Sequence, residues 1–75
     1  MNAIELQALA LESNKNYYEN TLLPEIIAVA KNGELHICVD IPLKHYSYTK
    51  KRLEENGMSL NNTRSNENPY TIGWS

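Results

Sequence analysis

Eight consecutive residues, Glu34 to Ile41, alternate without a break between polar and apolar. Leu35, Ile37, Val39 and Ile41 fall on one side, and Glu34, His36, Cys38 and Asp40 on the other. A period of two marks a strand with one buried face and one wet face. Such a strand needs partner strands beside it and a layer of other elements over its apolar side. The segments on either side offer both.

Before the strand the chain reads as helix. No glycine occurs from Ala3 to Lys31, and Ala, Leu, Glu and Lys, all good helix formers, are frequent. Ile4, Ala8 and Leu11 mark one apolar stripe, and Tyr18, Leu22, Ile26 and Val29 carry it on at helical spacing. Two features interrupt the pattern: the polar stretch Glu12-Ser13-Asn14-Lys15-Asn16, and Pro24. The missing N–H of a proline costs a helix interior about 3 kcal/mol. Two readings fit: one long kinked helix, or a break near Ser13–Asn16 or Asn20–Leu23 with Pro24 in the first turn of a new helix. The favoured reading has one helix over roughly residues 3–13 and another over roughly 14–31, bent at Pro24. Asn32-Gly33 supplies the stop.

After the strand, Pro42 is placed to open a helix at its first position, with Asp40 or Ile41 before it as the cap region. That helix carries Leu43, Tyr46, Thr49 or Lys50, and Leu53 on one side, and it ends at Asn56-Gly57. Met58-Ser59-Leu60-Asn61 makes a weak strand and Asn62 to Asn68 a polar turn. Tyr70-Thr71-Ile72-Gly73-Trp74 makes a stronger strand, with Tyr70, Ile72 and Trp74 on one face. A strand–helix–strand unit sends its two strands in the same direction with a right-handed crossover. The last strand, the more apolar, then fits between them and antiparallel to both. The expectation is a single α+β domain over residues 1–75. It comprises a helical segment, residues 1–33, and a β-α-β-β unit, residues 34–75, with a three-stranded mixed sheet of order 1-3-2. Leu35, Ile37, Val39, Ile41, Leu53, Ile72 and Trp74 are the expected core.

A chain of 75 residues buries only about 60–65% of the surface its unfolded form exposes, so it gains from disulfides, a metal or self-association. A lone cysteine, Cys38, excludes an internal disulfide and any multi-cysteine metal framework. Self-association is left. A formal charge of −2 is too small to draw the chain to nucleic acid or to an anionic membrane. No apolar run approaches the roughly 18 residues of a membrane span. The opening Met1-Asn2-Ala3-Ile4-Glu5 lacks the basic and apolar regions of a signal peptide. A cytoplasmic location is expected, that of the host cell if the gene is viral.

The opening Met1-Asn2-Ala3-Ile4-Glu5-Leu6, the helix stops Ala30-Lys31-Asn32-Gly33 and Leu53-Glu54-Glu55-Asn56-Gly57, and the closing Tyr70-Thr71-Ile72-Gly73-Trp74 form a pattern. It resembles a group of small, mostly uncharacterised bacteriophage proteins. The resemblance spans nearly the whole chain, and it implies a helix–strand–helix–strand–strand layout and a viral gene. Its motifs are structural, so it carries over no activity and no site residues. Pro24 and Pro42 depart from the pattern.

Few residues carry reactive chemistry. His36, Cys38 and Asp40 share the polar face of the first strand and His45 follows, a set that zinc accepts and in which Cys and His could form a nucleophilic pair. Their spacing is that of any alternating strand, and a lone strand cysteine is ordinarily a small packing residue. No metal and no cofactor is expected. Lys50, Lys51 and Arg52, with Tyr46 and Tyr48 close by, form a candidate ligand or anion patch. Glu54 and Glu55 follow at once and cancel much of its field, and such a patch is most often a solvated helix face. No phosphate loop, nucleophile elbow or paired acid motif is present, which argues against an enzyme.

The helical segment is more informative. One stripe, Tyr18, Leu22, Ile26 and Val29, can cover the sheet, yet Leu6, Leu9, Ala10, Tyr17, Leu23 and Ile27 lie on other faces. As a single helix, residues 3–31 would reach about 43 Å at 1.5 Å per residue, well past a three-stranded sheet. A helix apolar on more than one face needs a second partner or must fold back on its own domain. These six residues are the candidate interface. The expected function is that of a small phage-type interaction protein, a dimer or higher homo-oligomer, that binds and modulates a host protein. The alternative is an oligomeric binder of a nucleotide signal, acting as a sponge.

Overall fold

The structure, a computed structural model, describes residues 1–63 and 67–75. A helical run from Ala3 to Lys31 has three parts: α1 (Ala3–Tyr17), a π-helical turn (Tyr18–Leu22) and α2 (Leu23–Lys31). Then come β1 (His36–Val39), α3 (Leu43–Glu55), β2 (Ser59–Asn62) and β3 (Tyr70–Gly73). The expected polar turn over residues 62–68 begins later than anticipated, because Asn62 still belongs to β2. Residues 64–66 of that turn lie outside the described residues.

The run starts where Asn2 caps it, its Oδ1 accepting the Glu5 N–H at 2.9 Å. The break anticipated near residues 13–14 does not occur. Instead the helix widens at Tyr18–Leu22, where the Leu23 N–H bonds the Tyr18 carbonyl five residues back. Two physical needs meet in that turn. Pro24 cannot donate an N–H, and its ring crowds the preceding turn of a regular α-helix. Tyr18, Leu22 and Ile26 are all buried and spaced by four, and a helix of 3.6 residues per turn carries a row of fours around by about 40° per step. A wider turn takes up that drift and keeps the three on the sheet.

Both glycine stops act as anticipated. Gly33 and Gly57 have φ of +85° and +79°. The Gly33 N–H bonds Ala30 O and the Glu34 N–H bonds Val29 O; the Gly57 N–H bonds Glu54 O and the Met58 N–H bonds Leu53 O. These are the paired reverse bonds of a left-handed helix stop.

The strand order is β1-β3-β2. Both pairings are antiparallel: Ile37 and Leu60 lie opposite Ile72 from its two sides, and Val39 and Asn62 opposite Tyr70. The sheet is therefore antiparallel rather than mixed. β1 and β2 do run the same way, but β3 separates them, so no parallel pair is bonded. The helices cover one face. There Val39, Ile41, Leu53 and Ile72 meet Tyr18, Leu22 and Ile26, with Ile37, Tyr70 and Trp74 partly buried against them. The other face presents the exposed His36, Cys38, Ser59 and Asn61.

Three expectations about the core need correction. Leu35 is 55% exposed, because β1 begins only at His36 and Leu35 lies past its end. Pro42 is the cap residue of α3, with extended ψ, rather than its first helical residue. The buried stripe of α3 is His45, Thr49 and Leu53, and Leu43 stands 86% exposed. His45 turns inward because α1 offers it partners.

Candidate interaction surface

None of the residues of α1 is buried. Residues 3–13 are exposed without exception and form an arm about 16 Å long at helical rise. The domain begins to grip the helix at Asn14 and Tyr17. The Asn14 Oδ1 lies 2.6 Å from His45 Nδ1, and the Tyr17 ring stacks on the His45 ring at 4.6 Å and 9°. Beyond that anchor the arm overhangs. The molecule measures 45 × 25 × 18 Å, and its long axis matches the length of the helical run.

The arm is apolar on two sides. Ile4, Ala8 and Leu11 fall on the row that Tyr18 continues into the core, while Leu6, Leu9 and Ala10 lie around the opposite side. Of eight exposed large hydrophobic side chains among the described residues, five (Met1, Ile4, Leu6, Leu9 and Leu11) fall in the first eleven residues. The radius of gyration is 13.5 Å, against about 11 Å for a compact chain of this length. The exposed area is 5370 Å², against about 4,700 Å² expected for this mass.

The six candidate interface residues therefore divide. Leu6, Leu9 and Ala10 are exposed on the arm and Ile27 is exposed on α2. Tyr17 and Leu23 instead pack against the domain's own core. Ile4 and Leu11, which continue the sheet-covering stripe towards the N-terminus and are not among the candidate interface residues, belong to the free arm as well. The signal that could have placed them was the arithmetic of helix length against sheet width.

The residues of the candidate anion patch do not converge. Tyr46 packs on Tyr70 at 5.2 Å, and Lys50 and Lys51 are exposed. Arg52 is held between tyrosines, its guanidinium 5.1 Å from the Tyr18 ring and 5.9 Å from the Tyr48 ring. It also donates to the Tyr48 hydroxyl at 3.3 Å. Burial pushes the Tyr18 phenol above its ordinary range, and the Arg52 charge pulls it partly back. Burial raises Tyr17 as well, helped by the nearby carboxylates of Glu25 and Asp40.

The soft ligands are also apart. Cys38 is exposed on the open face of the sheet, its Sγ 3.6 Å from the Thr71 hydroxyl, and His36 is exposed on the same face. His45 is in the helical layer on the other side. Among the described residues no three His, Cys, Asp or Glu side chains gather as a metal site, no pocket is enclosed, and no helix is long and apolar enough to cross a membrane. No family model matches the chain, and no curated protein or solved structure shows significant similarity to it.

Proposed function

We propose that this chain is a non-enzymatic interaction protein that works as a homo-oligomer and binds another protein, with the N-terminal arm as its binding element. The observation that carries the reading is the arm itself: an overhanging helix with leucine or isoleucine on two sides and none of it buried. Apolar surface of this kind, left in water by a small domain, marks a protein-binding site, and a helix with two apolar sides can serve two partners at once. If the gene is viral, as the resemblance to small bacteriophage proteins implies, the second partner is a host protein.

Light scattering at tens of micromolar, paired with recovery of partners on immobilised protein from a bacterial lysate, tests the reading. A mass above one chain, together with a partner lost on Leu6→Asp or Leu9→Asp, supports it. A monomer that captures nothing by the arm sinks it.

The nucleotide-binding alternative has one observation on its side. Arg52 is ordered by Tyr18 and Tyr48, and arginine with aromatic rings suits a base and its phosphate. A rise in melting temperature with a nucleotide, abolished by Arg52→Gln, would favour it over the first reading.

A further inference from the structure

We infer that two copies of this chain pair arm to arm, antiparallel, along the row Ile4, Ala8, Leu11 and Lys15. In this arrangement Ala8 of each copy packs beneath Leu11 of the other, and Lys15 of each reaches Glu5 of the other. The inference rests on the homo-oligomeric reading and adds a face, an orientation and a register to it.

Three observations choose the second copy as the occupant. The first is area. The molecule exposes about 700 Å² more than a compact chain of its mass, close to the ~800 Å² that each partner gives up in a standard interface. The second is the spacing. Residues 4, 8, 11 and 15 alternate steps of four and three, the seam spacing of paired helices, and they lie on the row that Tyr18 takes into the core. Ile4 and Leu11 are 76% and 57% exposed, so this seam is open.

The third is charge. A parallel pair would set Lys15 against Lys15 of its copy inside the seam. An antiparallel pair, with residue positions that sum to 19, sets Lys15 beside Ile4 and next to Glu5, and Ala8 beside Leu11. The lysine stem then covers the isoleucine while its ammonium reaches the carboxylate. The small alanine makes room for the leucine. Glu5 and Lys15 are both exposed, and among the described residues neither takes part in an ion pair. Within one chain the acids nearest Lys15 along the helix are Glu12 and Glu19, one turn away on either side. A two-fold axis makes the Glu5–Lys15 contact twice.

A charge-swap cycle on the full chain tests this. Dimer dissociation constants are measured by sedimentation equilibrium at about 0.1 M salt for wild type, Glu5→Lys, Lys15→Glu and the double variant, with circular dichroism to verify that each is folded. Positions 5 and 15 are about 15 Å apart on one helix, beyond a Debye length of roughly 10 Å at 0.1 M salt, so any coupling between them must cross between chains. Each single swap should weaken the dimer about five- to tenfold, as two attractions become two repulsions of surface-pair strength. The double variant should return to within about twofold of wild type. Single swaps whose effects merely add would overturn the antiparallel register while leaving the oligomeric reading intact. A wild-type chain that stays monomeric at every concentration would overturn both.

Discussion

Asn14 Oδ1 and His45 Nδ1 lie 2.6 Å apart and join the long helix to the first turn of α3 across 31 residues of chain. A carboxamide oxygen only accepts, so this contact places the imidazole proton on Nδ1. Tyr17, three residues along α1, stacks on the same ring. Here tertiary contacts outweigh the weak helix propensity of Ser13–Asn16: one of the poor helix formers is the residue that fixes where the arm leaves the domain.

Asn14→Ala should lower stability by about 1–3 kcal/mol, because it leaves a buried ring N–H without its acceptor. His45→Ala should cost at least as much, since the stack on Tyr17 goes with it. The double variant should cost less than the two together, as expected for side chains that share one contact. Urea unfolding of the four proteins checks the coupling, and strict additivity would show that the contact does not form in solution.

Leu22 and Leu35 should behave oppositely although both were open to reading as core from their periodicity. Leu22 is 1% exposed, and Leu22→Ala should cost about 2–5 kcal/mol, which is a large share of what a domain this small can lose. Leu35 stands past the end of β1, and Leu35→Ala should stay within about 0.5 kcal/mol of wild type. Thermal melts of the pair decide. A large loss at Leu35 would mean that another chain covers it.

What the sequence made legible was local chemistry and period. Gly33 and Gly57 declared themselves because only glycine takes positive φ cheaply. The alternation of Ile37, Val39 and Ile41 gave the correct buried side of β1, and the apolar character of Tyr70–Gly73 correctly put β3 in the middle of the sheet. Leu35 and Leu43 are exposed against expectation for one shared reason. Period tells which side of an element is apolar, not how far the covering layer extends. The inward turn of His45 depends on Asn14 and Tyr17, far away in sequence, which no local pattern encodes. The arm was half legible: helix length announced an overhang and marked Leu6, Leu9 and Ala10, while Ile4 and Leu11, in line with the covering stripe, carried no sign of where that stripe leaves the sheet.

The two helix stops give a sharper local test. Gly57→Ala forces a left-handed conformation on a residue with a Cβ, which costs about 1–2 kcal/mol, and a methyl there meets nothing within 4 Å. The loss should therefore come from the backbone alone, so Gly57→Asn, a residue that visits this region more readily, should recover part of it. Chemical denaturation of the two variants measures the difference, and equal losses would point to packing instead.

The tyrosines at the junction of arm and domain predict how stability depends on alkaline pH. Burial raises the phenols of both Tyr17 and Tyr18 above their ordinary value, which is about 10 in the unfolded chain. Above that pH the unfolded chain gives up these protons before the folded one does. The folded state then binds more protons, and stability falls as pH rises. The contribution is whole below pH 10 and is lost as pH climbs through the raised folded values. Tyr17→Phe combined with Tyr18→Phe keeps both rings, including the stack on His45 and the face beneath Arg52, and removes only the ionising hydroxyls. Urea midpoints taken from neutral pH to well above the tyrosine range should decline less steeply in the double variant than in wild type. Parallel declines in the two proteins would assign the alkaline loss to the other ionising groups of the chain and leave these two phenols without a part in it.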